Sequence, residues 1–206
     1  MKKLQFNEQE LKERLQNFPP SARCAFAAAC AERLRPAYVS FAIRRRGRND
    51  ASEFEALLDR VWVDALGEPM SSTEVRDAVK KVMHLIPDED GGTWEDAQAF
   101  AEDGATALAY ALRCRKSGES QEAAWAGRCG YEAADYWATH AGGVDLSAPD
   151  GEERALHHPV VQAELRRQEV DLEELGSAVS RTIVAVIARV RNRARRSRFK
   201  LPREGV

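Results

Sequence analysis

The sequence predicts an all-α fold: a single-domain bundle of seven to nine helices closed by a long C-terminal helix. Three observations carry that expectation. Apolar residues recur every three or four positions through each long segment, and the helices begin at legible caps and end at Gly or Pro. No run alternates apolar with polar residues as a half-buried strand does. At 206 residues, 44% of them hydrophobic, the chain can bury a core of its own and is too apolar to be disordered.

Asn7 with Glu10 reads as a capping box for a first helix carrying Leu11, Leu15 and Phe18, stopped by Pro19-Pro20. Ser21 caps an alanine-rich helix to about Arg35, and Pro36 then opens a short helix through Tyr38 and Phe41 that ends at Gly47. Asp50 and Glu53 read as another capping box, ahead of the stripe Phe54, Leu57, Leu58, Val61, Trp62, Ala65 and Leu66. Ser71 and Glu74 precede Val75, Ala78, Val79, Val82, Met83 and Ile86. Thr93 caps a stretch that reaches Lys116, with Gly104 as its weak point.

Gly118 separates that stretch from a helix over about 120–139. There Ala123, Gly127, Gly130 and Ala134 form a small-residue seam, suited to close packing within one chain or between two copies in a homodimer. Residues 141–153 read as a loop. From Pro159 onward, Val161, Leu165, Gln168, Leu172, Leu175, Val179, Ile183, Val186 and Val190 suggest one helix of about 35 residues, with Gly176 as a point of bending. Residues 1–198 are expected to form the domain and 199–206 a basic tail.

The segment Cys30-Ala31-Glu32-Arg33-Leu34-Arg35-Pro36-Ala37-Tyr38-Val39-Ser40-Phe41 resembles the C-x-E-R-x-x-P-x-Y-x-x-F signature of the YjaG-like family of bacterial proteins. Leu57-Leu58-Asp59-Arg60-Val61-Trp62, Ser117-Gly118-Glu119 and His158-Pro159-Val160-Val161-Gln162-Ala163-Glu164 continue the resemblance in order. It implies an all-helical single domain, from a domain-of-unknown-function family without established catalytic residues. The basic run Arg44–Arg48 and the arginine-rich C-terminus depart from that pattern.

Catalytic patterns are missing from the sequence. Four histidines (His84, His140, His157, His158) form no HxxxH, HExxH or Glu-x-x-His pair, and there is no GxSxG, Walker or GxGxxG pattern. We therefore expect no enzyme, no catalytic residue, no metal and no cofactor. Glu32-Arg33 reads as an ion pair that fixes helix packing. Cys24, Cys30, Cys114 and Cys129 lack CxxC spacing and fit buried, reduced thiols. The N-terminus has no apolar leader and no segment approaches a membrane span, so a cytoplasmic protein without a membrane role is expected.

Charge is the most informative feature. Eight basic residues and no acid occupy 189–203, so the near-neutral total of −2 hides an acidic body with a basic end. Asp88, Glu89, Asp90, Glu95, Asp96, Glu102 and Asp103 form an acidic block around Trp94. Such a block, with Trp94 as an anchor, can take a basic partner; most concretely, the chain would be an immunity protein occluding the working surface of a cognate toxin. The alternative is a nucleic-acid-associated protein holding phosphates through Arg189, Arg191, Arg193, Arg195, Arg196, Arg198 and Lys200. Phe199 is the single aromatic there, so base stacking has little to work with.

Overall fold

In a computed structural model describing residues 3–87, 96–179 and 181–199, the chain forms nine helices, and no strand occurs among the described residues. They are α1 (Glu8–Gln16), α2 (Pro20–Arg45), α3 (Arg48–Ala65), α4 (Ser72–Leu85), α5 (Asp96–Ser117), α6 (Ser120–His140), α7 (Gly151–His157), α8 (Pro159–Gly176) and α9 (Ile183–Arg196). The axis of the bundle is α2, which packs against α3, α5, α6, α8 and α9. Its run of alanines lets those neighbours approach from every side. Ala25 to Ala29 and Ala31 are all fully buried.

Several expected starts and stops are met. Asn7 Oδ1 accepts the Glu10 N–H at 3.0 Å, and Ser71 and Glu74 form a reciprocal capping box ahead of α4. Pro159 opens α8, where His158 Nδ1 accepts the Val160 N–H.

Other expectations are corrected. Pro20, not Ser21, opens α2, and the helix runs through Pro36 without a second start. The hydrogen bond that Pro36 cannot donate is outweighed by burial of Ala37, Tyr38, Phe41 and Ala42 on the next turn. Helix α3 begins at Arg48 behind Gly47, and Asp50 instead accepts Arg46 at 2.7 Å. On α4 it is Leu85 that is buried, whereas Met83 faces solvent. Gly104 does not break α5; it is buried where α5 crosses α2, and a Cβ there would meet Leu34 and Tyr38 at 3.5 Å. Part of the expected 141–153 loop is the first turn of α7. The cap expected at Thr93 lies outside the described residues.

The long C-terminal helix is two helices. In one straight helix Asp171 and Arg193 would lie about 33 Å apart, yet their side chains meet at 2.7 Å. The chain therefore reverses between Gly176 and Ile183. Gly176 ends α8 against the Phe18 ring, where a Cβ would lie 2.9 Å from the nearest ring carbon. Val179 of the expected stripe is 54% exposed at the reversal. Helix α9 then buries Val186, Ile187, Val190 and Ala194 against the body, and Phe199 joins the core, its N–H donating to the Arg33 carbonyl at 2.8 Å.

The seam on α6 is consumed within the chain. A Cβ on Gly127 would meet Leu11 at 2.8 Å, and one on Gly130 would meet the Glu164 carboxylate at 2.9 Å. No helix is long and apolar enough to cross a membrane among the described residues.

Candidate functional site

Two charged regions stand out, and they are built differently. The first surrounds Glu32 and Arg33 on α2. Arg33 is 2% exposed; its guanidinium reaches Asp171 at 2.8 Å and Glu164 at 3.0 Å on α8, and also donates to Cys30 Sγ at 3.3 Å. Burial pulls the Arg33 guanidinium toward the neutral form, but Glu164, Cys30 and Asp171 together hold it above its ordinary range. Burial pushes the Cys30 thiol up to about 12, so it stays a neutral acceptor. Gln168 ties Glu164 to the Gly127 carbonyl across the α6–α8 contact.

Glu32 points the other way and is fully buried. It accepts from Trp62 Nε1 at 3.3 Å and faces Arg35, Arg195 and Arg198 at 3.4, 3.7 and 3.4 Å. Burial raises its carboxyl above the usual range, against the pull of Arg35, Arg195 and the Trp62 N–H.

This region absorbs most of the arginines singled out at the C-terminus. Arg193 bridges Asp171 and Glu174, Arg191 and Arg195 both reach Asp59 on α3, and Arg198 reaches Glu32. Arg189 stands 3.7 Å from Glu174 with most of its side chain in solvent, and Arg196 is exposed. Lys200 lies outside the described residues. What read as a basic extension is thus the cationic half of a helix-to-helix lattice.

The second region is the acidic face. Asp88, Glu89, Asp90, Trp94 and Glu95 lie outside the described residues, and Asp96 is the first residue of α5. Glu102 and Asp103 follow in its second turn, both half-buried. The Asp103 carboxyl is pushed up to about 8, first by burial and then by Glu132 and Glu102; no arginine or lysine among the described residues pairs with it. Glu132 and Asp135 on α6, which the sequence reading missed, are also raised by burial. Arg128, 3.4 Å from Glu132, only partly offsets this. Their signal was present as acids three apart on α6 beside the small-residue seam, but nothing local said that α5 would bring Asp103 toward Glu132.

The remaining candidates separate. His157 lies 2.9 Å from Lys3 and His158 is held at the α7–α8 corner near Trp137, while His84 is exposed on α4. Among the described residues no group of three or more His, Cys, Asp or Glu side chains can hold a metal ion. The four thiols are free and buried, and Cys24 and Cys114 bring α2 and α5 together with their sulfurs 3.7 Å apart.

Fold and charge together define a class of protein: a single all-helical domain organised on a buried ion-pair lattice, with an acid-rich face on two of its helices. The chain belongs to the family described as protein of unknown function (DUF416), whose model matches residues 10–199. The crystal structure of a DUF416 family protein from Shewanella baltica is similar over 88% of this chain and 92% of that one, with a TM-score of 0.72 and 16% identity. At that identity the likeness is one of fold. No curated protein matches the chain.

Proposed function

We propose that the protein is a non-enzymatic, cytoplasmic binding protein, most concretely an immunity protein that neutralises a cognate toxin by occluding its active surface. The grouping with the YjaG-like proteins is part of the same reading. The observation that carries it is the acidic face: Asp103, half-buried, has acids rather than cations for neighbours. Burial and neighbouring acids hold this carboxyl in its neutral form in the free protein, and a cationic partner favours its ionised form. A toxin that acts on nucleic acid carries such a basic surface. The face would comprise Asp88, Glu89, Asp90, Trp94, Glu95, Asp96, Glu102 and Asp103, widened by Glu132 and Asp135.

The pairing of Arg191, Arg193, Arg195 and Arg198 with carboxylates favours this reading over phosphate binding through α9, because those cations already have partners. Co-expression with a toxin-like product of a neighbouring gene is the test. The protein should rescue growth and co-purify with the toxin, and the double change Asp103→Lys, Glu132→Lys should cost at least tenfold in affinity while leaving the helical circular dichroism intact. Rescue indifferent to those changes, or no rescue, would dismiss the proposal.

A further inference from the structure

The segment ahead of α1 is held in a way that packing of an N-terminus does not require. Residues 3–7 alternate in burial, Leu4 and Phe6 half-buried and Lys3, Gln5 and Asn7 exposed, the period-two pattern of a strand lying on a surface, and Asn7 has extended dihedrals. Gln162 on α8, only 4% exposed, grips the backbone of Leu4 from both sides: its Oε1 accepts the Leu4 N–H at 3.0 Å and its Nε2 donates to the Leu4 carbonyl at 2.8 Å. The same Nε2 donates to the Leu156 carbonyl at 2.9 Å, which fixes the amide's orientation. Two residues on, the Phe6 ring stacks on Tyr131 of α6, centroids 4.8 Å apart and planes within 8°.

A side-chain amide that chelates one residue's N–H and C=O reads extended backbone and is indifferent to the side chain it carries, as strand-addition sites are. Tyr131 then adds a preference for an aromatic two residues later. The seat is also underfilled. A cavity of about 350 Å³ opens on the α1 side of Leu4 and Phe6, between the strap, α1 and α8, lined by Leu11, Leu165 and Leu172 together with Arg14, Gln168 and Glu169. The strap lies ahead of residues 10–199, the part of the chain that the family model matches.

We propose that the α6–α8 groove is a peptide-recognition site, occupied in cis by residues 3–7, whose trans ligand is an extended segment of a partner protein with the pattern apolar–x–aromatic. The chemistry of that ligand is copied from the present occupant: one exposed backbone N–H and C=O for Gln162, a large apolar side chain for the cavity, an aromatic for Tyr131. This proposal is independent of the acidic face. A tethered occupant competes at an effective concentration in the millimolar range, so the intact chain resists exchange and a weakened strap admits a free peptide.

The probe is a fluorescein-labelled peptide of residues 3–8, KLQFNE, titrated against the full chain and against the full-length double variant Leu4→Ala, Phe6→Ala. The variant should bind the peptide at least tenfold more tightly than the wild type. Replacing the peptide's Leu by Phe should tighten binding several-fold by filling the cavity. N-methylation of the peptide at Leu4, which deletes the N–H offered to Gln162 and leaves the protein untouched, should abolish it. Absence of saturable binding to the double variant, or equal binding of the N-methylated peptide, would overturn the proposal. So would a concentration-dependent wild-type dimer lost in the double variant, which would make a second copy's strap the occupant.

Discussion

The α2–α8–α9 lattice and the α5–α6 acidic face are both rich in partly or fully buried charge, yet one is balanced and the other is not. Around Arg33, Glu164 and Asp171 each have a guanidinium within about 3 Å, from Arg33 on α2 and, for Asp171, also from Arg193 on the helix that folds back. Around Asp103, the neighbouring charges are of its own sign, and the carboxyl responds by retaining its proton. The comparison separates two uses of charge in one fold. Paired charges fix which helix lies on which, while an excess of one sign leaves a surface whose free energy an added cation lowers.

The largest effect is expected at the balanced site. Arg33→Met keeps the volume but leaves Glu164 with only the more distant Arg167 at 3.5 Å and removes one of the two cations serving Asp171. Unfolding in urea should show a loss of about 3–5 kcal/mol, the size typical of an orphaned buried partner. Adding Glu164→Gln should recover part of it; a single variant as stable as the wild type would mean that the lattice does not hold the helices.

A smaller effect of opposite sign is expected on the acidic face. Because folding raises the Asp103 carboxyl from its ordinary range to about 8, the folded state binds a proton that the unfolded state releases. This group's contribution is therefore fully present at low pH and is lost as the pH rises from about 4 to about 8. Asp103→Asn keeps the neutral shape at all pH values. It should leave stability near pH 4 unchanged and raise it progressively as the pH climbs from about 4 to about 8. Parallel urea midpoints for the two proteins from pH 4 to 9 would remove the distinction between the regions. The same linkage makes capture of a basic partner expel a proton, so affinity should climb with pH through this range.

The smallest effect lies where the lattice meets solvent. Arg195→Ala leaves Arg35 and Arg198 facing Glu32 and Arg191 on Asp59, and should cost less than about 1 kcal/mol, falling further in 0.5 M salt. A loss as large as that for Arg33→Met would show that exposure does not grade these pairs.

Much of the fold was readable locally. Ser71 with Glu74, Asn7 with Glu10 and Pro159 mark helix starts through chemistry that operates within four residues, and the structure meets each. The reversal between α8 and α9 was not readable, since Leu175, Val179, Ile183 and Val186 keep helical spacing whether the chain continues or turns back. Nor could spacing show that Arg33 would find acids 131 and 138 positions away, or that Asp103 would meet Glu132. The charge segregation was visible in the sequence, but the partners of each charge were not, because they are set by the packing of α2.

That α9 closes the lattice has a consequence for the order in which the molecule assembles. A chain made from its N-terminus has α2, α3 and α8 available before α9, so Glu32, Asp59 and Asp171 wait for the last cations to emerge. In that interval Asp171 has Arg33 alone, while Glu164 has Arg33 and Arg167. The late arrival of residues 183–199 then acts as a lock turned at the end of synthesis: the earlier helices can collect, but the charges between them are balanced only when the final segment folds back.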